Sequence, residues 1–107
     1  MDKVLSYLGL ARRAGKILFG DEILENFSRG SISLLFLAKD ISPKSRDRFA
    51  KKCLYYKVPL IEDYSADELS AALGRPIVKT AAVCDHGFAK AIQKERRCVD
   101  GKEQKTI

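Results

Sequence analysis

The sequence predicts an α/β fold, a three-layer α/β/α sandwich around a four-stranded mixed sheet. Three observations carry that expectation. Segments with helical apolar spacing alternate with short apolar runs along nearly the whole chain, as in layered α/β proteins. The run Leu34-Leu35-Phe36-Leu37-Ala38 is apolar at every position, which suits a central strand covered on both faces. Capping residues stand where helices should begin, most clearly at Ser42-Pro43 and Ser65-Ala66-Asp67-Glu68.

Val4, Leu5, Leu8 and Ala11 follow the i, i+1, i+4, i+7 spacing of an amphipathic helix from Asp2 to Arg13, which Gly15 is placed to end. Lys16 to Phe19 reads as a short strand. Gly20-Asp21 then turns into a second helix with Asp21 as N-cap, its inward face being Ile23, Leu24 and Phe27, and Gly30 stops it. Ser33 to Ala38 is the central strand. Ser42 caps a third helix with Pro43 at its first position, where a missing N–H costs nothing. Phe49, Ala50, Cys53, Leu54 and Tyr56 form its apolar stripe, and Lys44, Arg46, Arg48, Lys51 and Lys52 cover the rest. Val58 to Ile61 is a third strand, with Pro59 pointing to an edge. The Ser65–Glu68 capping box opens a helix that Gly74 ends. Val78 to Cys84 makes the fourth strand, and Asp85 caps a last helix through Phe88, Ala89 and Ile92. Residues 95–107 lack an apolar period and read as a basic, flexible C-terminal tail, so that residues 1–94 form one domain.

A chain of 107 residues fits a single core, and 46% hydrophobic with 32% charged residues excludes a wholly disordered protein. No apolar run approaches the ~18 residues that span a bilayer. The N-terminal stretch carries Asp2, lacks a continuous apolar core and ends in arginines, unlike a secretory signal. A cytoplasmic protein without a membrane partner is expected. Cys53, Cys84 and Cys98 are odd in number and far apart, no C-x-x-C pair exists, and His86 is the lone histidine. That composition points to thiols in a reducing compartment rather than to zinc, and no cofactor is expected. The net charge of +6 favours a polyanionic partner, although solvated lysines alone give the same figure.

In open α/β sheets ligands gather outside the carboxyl ends of strands. Two such junctions stand out, Phe19-Gly20-Asp21-Glu22 and Ala38-Lys39-Asp40-Ile41-Ser42. Gly20 allows close approach of a backbone or base, free N–H groups at a helix start can donate to phosphate, and carboxylates can accept from base amino groups. Lys16, Arg29 and Lys39 are candidate phosphate contacts. The plainer alternative is that Asp21 and Ser42 are caps and the cations are solvated. The loop Arg75-Pro76-Ile77-Val78 offers apolar residues to a splayed-out nucleotide, unless Ile77 enters the core. Cys84-Asp85-His86 is a poor candidate for nucleophilic catalysis: adjacent strand residues face opposite ways, and nothing in the sequence orients His86. No GxxxxGK[ST] or GxGxxG loop is present.

These elements, in this order, resemble the kink-turn RNA-binding family of small ribosomal proteins, the L-seven-Ae-like superfamily, and its short bacterial members in particular. The stretches LGLARRAGKILFGDE, SLLFLAKDISPKSRDRFAKKCLYYKVPLI and AAVCDHGFAKAI carry the likeness, which runs from about Val4 to Ile92. The resemblance implies a non-enzymatic protein of the translation apparatus that binds a sharply bent RNA helix, ribosomal RNA included, and not DNA. By position it assigns contacts to Gly20, Asp21 and Glu22, to Arg29 before Gly30, to Asp40, and to Ile77 and Val78 by loop position. Relatives place a lysine one turn into the second helix. Here Glu25 stands there if the helix is aligned from Arg29-Gly30, and Asn26 if it is aligned from Gly20. Losing a charge-assisted contact costs roughly 1.5–3 kcal/mol, while Asn26 can still hydrogen-bond to a base edge. The Asp21, Glu22 and Glu25 cluster keeps a protein-interaction module open as an alternative, as does an RNA-recognition subunit for a modifying enzyme.

Overall fold

The computed structural model describes the backbone of residues 2–104 and the side chains of residues 2–96. Nine elements follow one another: α1 (Lys3–Arg13), β1 (Ile17–Phe19), α2 (Asp21–Phe27), β2 (Leu34–Leu37), α3 (Pro43–Tyr56), β3 (Leu60–Ile61), α4 (Ala66–Leu73), β4 (Thr80–Val83) and α5 (His86–Gln104). The strands form a mixed sheet in the order β1-β4-β2-β3. β4 runs antiparallel to both β1 and β2, while β2 and the edge strand β3 are parallel. In the shared register Leu35 lies opposite Ala82 on one side and Leu60 on the other.

Local chemistry explains the helix ends. The Asp2 carboxylate accepts from the N–H groups of Val4 and Leu5, the Ser42 hydroxyl from Ser45, and Ser65 with Glu68 completes the capping box. Pro43 occupies the first turn of α3. Asp85 Oδ2 accepts from the Phe88 N–H at 2.9 Å as α5 begins.

α1 packs on α4 and α5, and α2 packs on α3. These two groups enclose β2, whose four residues are all buried. Phe27 of α2 and Tyr56 of α3 stack with centroids 5.7 Å apart. Leu8, Ile23, Phe36, Leu69 and Ile92 fill the interior, each such side chain contributing roughly 1.5–3 kcal/mol of burial.

The strands are shorter than their apolar runs. Val78 is buried in the loop before β4, and Val58 precedes β3 as a packed loop residue. α5 continues to Gln104, through much of the stretch whose aperiodic sequence reads as a tail. Residues 105–107 of that stretch lie outside the described residues.

The sheet has two ends of different make-up. β1, β2 and β3 finish at one end, where β4 starts: Phe19 lies opposite Ala81, Leu37 opposite Thr80 and Phe36 opposite Ile61. We call this end the front pole and the other the back pole.

Candidate nucleic-acid interface

At the front pole, Phe19 passes directly into α2 through Gly20. Gly20, not Asp21, is the N-cap, with φ 59 and ψ −134, a left-handed conformation that strains any residue with a Cβ. The sequence expectation of an Asp21 cap fails because glycine makes the turn in a single residue. Asp21 thereby falls inside the first turn with Glu22, where both carboxylates complement the free N–H groups of the helix start. The Gly20 N–H donates to Thr80 Oγ1 at 3.2 Å, tying this turn to β4.

Beside Gly20 opens a cleft of about 490 Å³, lined by Phe19, Glu22, Arg75, Ile77 and Thr80 among others. The Arg75 guanidinium lies 4.1 Å from the centroid of the Phe19 ring, a cation–π contact that roofs the half-buried edge strand. Ile77 is 82% exposed. Its φ is 51, a backbone conformation that a β-branched residue rarely tolerates. Val78, the next residue, turns the other way. It is buried, and its N–H donates to Ser70 Oγ at 2.7 Å. The loop thus divides a pair that the sequence treats alike: Ile77 faces solvent at the cleft, whereas Val78 is packed into the core and meets the cleft only at its wall.

Lys39 and Asp40 reach the same pole from β2 and are exposed. The Ala38 N–H donates to the Lys79 carbonyl and the Lys39 N–H to the Tyr64 carbonyl, both at 2.8 Å, which joins three loops. Asp40 Oδ1 accepts from the Ala66 N–H at 2.8 Å, so this carboxylate helps start α4. Tyr64 donates to Asp2 Oδ2 at 3.0 Å, and burial, then the Asp2 hydrogen bond, pushes its ionisation well above the usual range.

Asn26 lies partway along α2, where its Nδ2 donates to the Glu22 carbonyl at 2.8 Å. Glu22 and Asn26 stand one turn apart on one face of α2, and Arg29 follows in the turn after the helix. Lys16 and Arg29 stand at the back pole: the Lys16 carbonyl accepts from Cys84 after β4 ends, and Arg29 follows α2. The structure therefore gathers Gly20, Asp21, Glu22, Lys39, Asp40 and Ile77, and sets Lys16 and Arg29 apart from them.

Arg75, Lys79 and Thr80 also line the cleft, and sequence reasoning passed over them. Arg75 carried a signal, since it opens the apolar loop. Thr80 carried none, because its bond to Gly20 spans 60 residues of chain. Catalytic chemistry finds little support at Cys84. Burial pushes its thiol up, the wrong direction for a nucleophile, and Asp85 is engaged as a cap. Among the described residues no cluster of three or more potential metal ligands occurs, and no helix is long and apolar enough to cross a membrane.

Comparison with known proteins decides the family. Residues 2–93 match the ribosomal protein L7Ae/L30e/S12e/Gadd45 family. The chain belongs to that family. Within the L7Ae family it is 32% identical over 100 residues to the RNA-binding protein YlxQ of Enterococcus faecium, covering 92% of this chain and 93% of that one. It is 38% identical over 90 residues to the RNA-binding protein YlxQ of Bacillus subtilis (strain 168), covering 79% and 86%. A Bacillus halodurans C protein of unknown function superposes with a TM-score of 0.85 at 27% identity, over 89% of this chain and 97% of that one. The Giardia lamblia 15.5kD RNA binding protein superposes with a TM-score of 0.77 at 20% identity, over 92% and 85%, a likeness of fold. The L7Ae-type order of helices and mixed strands is thus the architecture of this chain.

Proposed function

We propose that this protein binds structured RNA without catalysing a reaction, and that its front pole recognises a sharply kinked helix of the kink-turn kind, as in ribosomal or other translation-associated RNA. The observation that carries the reading is Ile77, an exposed apolar side chain held in a strained conformation beside Gly20. Strain of this kind persists where a surface has work to do. Membership of a family whose YlxQ relatives are RNA-binding proteins supports it. In this reading Ile77 packs on an unstacked base, Gly20 admits the groove edge, and Asp21, Glu22 or Asn26 accepts from or donates to base edges. Lys39 supplies a phosphate contact at this pole.

The test is a titration with a kink-turn RNA and an unkinked duplex of equal length at two salt concentrations. The kinked RNA should bind selectively, and Ile77→Asp should weaken it about tenfold or more, given roughly 1.5–3 kcal/mol for burying an isoleucine side chain. Equal, weak and strongly salt-dependent binding to both RNAs would remove the kink reading.

A protein-partner reading has its own observation. Asp21, Glu22 and Glu25 are exposed on α2, and none of them is ion-paired among the described residues. It predicts capture of a basic protein that survives ribonuclease treatment.

A further inference from the structure

A second groove opens at the back pole, between the end of α3 and the first turns of α5. At about 640 Å³ it is larger than the front cleft. Its walls carry Lys57, Lys90 and Lys94 with His86, and its apolar lining includes Ile32 and Pro59. Among the described residues no carboxylate lines it, and none of the three lysines has an ion-pair partner. Lys57 is held in the left-handed conformation with φ 58, where glycine or asparagine is the common choice.

Past Lys57 and Pro59 the surface continues to Leu54, which is 83% exposed, and Tyr55, 77% exposed, adjoins the groove through its contact with the lining residue Tyr56. Tyr55 is braced edge-on against Tyr56 at 4.8 Å, and Tyr56 is itself stacked on Phe27. Arg29 follows α2 at the same pole, three positions before the lining residue Ile32.

We propose that this groove binds a single-stranded segment of the same RNA, with phosphates on Lys57, Lys90 and Lys94 and a base stacked on Tyr55. The inference rests on the RNA-binding reading above and extends it to a second surface. Lysines lining a groove beside an exposed, rigidly backed aromatic ring are the arrangement that single strands use. Cations track the backbone, and any base has a face to stack. An acidic peptide would use the lysines and leave the tyrosine without a role.

Fluorescence anisotropy with three probes tests this: a kink-turn hairpin with blunt ends, the same hairpin with an oligouridylate extension, and free oligouridylate. The extended hairpin should bind about tenfold tighter than the blunt one. K90Q/K94Q, at exposed positions of α5, should abolish that gain and reduce the salt slope for oligouridylate by about 1.4, at ~0.7 per phosphate contact. Tyr55→Ala should weaken the extended probe about tenfold with an unchanged slope, and both variants should bind the blunt hairpin as the native protein does. The inference is overturned if the extension adds nothing, if the variants weaken the blunt probe equally, or if polyglutamate displaces oligouridylate as well as oligouridylate does itself. Should the blunt hairpin not bind while oligouridylate binds with this dependence on Lys90, Lys94 and Tyr55, the groove stands and the front-pole reading falls.

Discussion

The two poles share one sheet and differ in the mix of charge they carry. The front pole carries both signs, with Asp21, Glu22, Asp40, Asp67 and Glu68 beside Lys39, Lys44, Arg75 and Lys79, and with Arg46 ion-paired to Glu62 and Arg96 to Asp63. The back pole collects Arg12, Arg13, Lys16, Arg29 and Lys57, with Asp85 already occupied as a helix cap. Helix polarity accounts for part of this. α2 and α4 start at the front with acids in their first turns, and α1 ends at the back on Arg12 and Arg13, as helix dipoles favour. Charge placement of this kind follows from the fold, and by itself it identifies no ligand.

Apolar exposure and backbone strain are what the dipoles leave unexplained. The two non-glycine residues with positive φ among the described residues are Ile77 at the front and Lys57 at the back. Each stands beside a cleft. Phosphate contacts position an RNA while base contacts specify it. A specifying front pole and a positioning back pole are what this distribution of side chains fits.

The largest effect should erase the comparison. Phe36→Ala opens a cavity in β2, the strand that serves both ends, and should cost about 3–5 kcal/mol in urea unfolding. Both surfaces should be lost at one midpoint. A result with one pole melting first would show that they are separate folding units.

Alkaline pH should come next. Burial, and to a lesser degree Glu62, pushes the Cys53 thiol up to about 12 from 9.0. Tyr64 at the front is also raised, from 10.0. A raised folded value means that the unfolded chain gives up its proton first. Stability is thus complete below about pH 9 and declines as pH rises toward the folded values. Cys53→Ala should flatten the early part of the decline and Tyr64→Phe the later part, read from denaturant midpoints across the alkaline range.

Relief of strain sharpens the contrast. Ile77→Gly should raise stability by about 1 kcal/mol while weakening kinked RNA, because the β-branched side chain gives up a strain of roughly 1–3 kcal/mol against a more flexible unfolded chain. Opposite signs in unfolding and in binding would mark the front loop as a functional strain site. Lys57→Gly should change stability least, by up to about 0.5 kcal/mol, since an unbranched residue is less strained there. Its effect should be confined to the oligouridylate extension.

The boundaries that were legible in the sequence are those set by near neighbours. Asp2, Ser42, Ser65 and Asp85 bond to N–H groups two or three residues away, so their residue types announce helix starts. The run from Leu34 to Leu37 announces a strand covered on both sides. The front cleft was legible in its glycine and its apolar loop, which are local features too. Its membership was not. Lys16 adjoins β1 in sequence as closely as Gly20 does, yet they stand at opposite ends of that strand. Ile77 and Val78 are adjacent and similar, yet one is exposed and the other is held inward by the bond to Ser70.

The amino-acid order by itself determined the succession of helices and strands, the caps and the basic character of the chain, because spacing and capping act over a few residues. Only the tertiary structure decided which residues meet. β4 enters antiparallel between β1 and β2, and this brings Thr80 to Gly20 and Ile77 to the same cleft. Pairings of that kind join positions sixty residues apart. Their energy comes from burying β2 on both faces, which no short stretch of sequence contains.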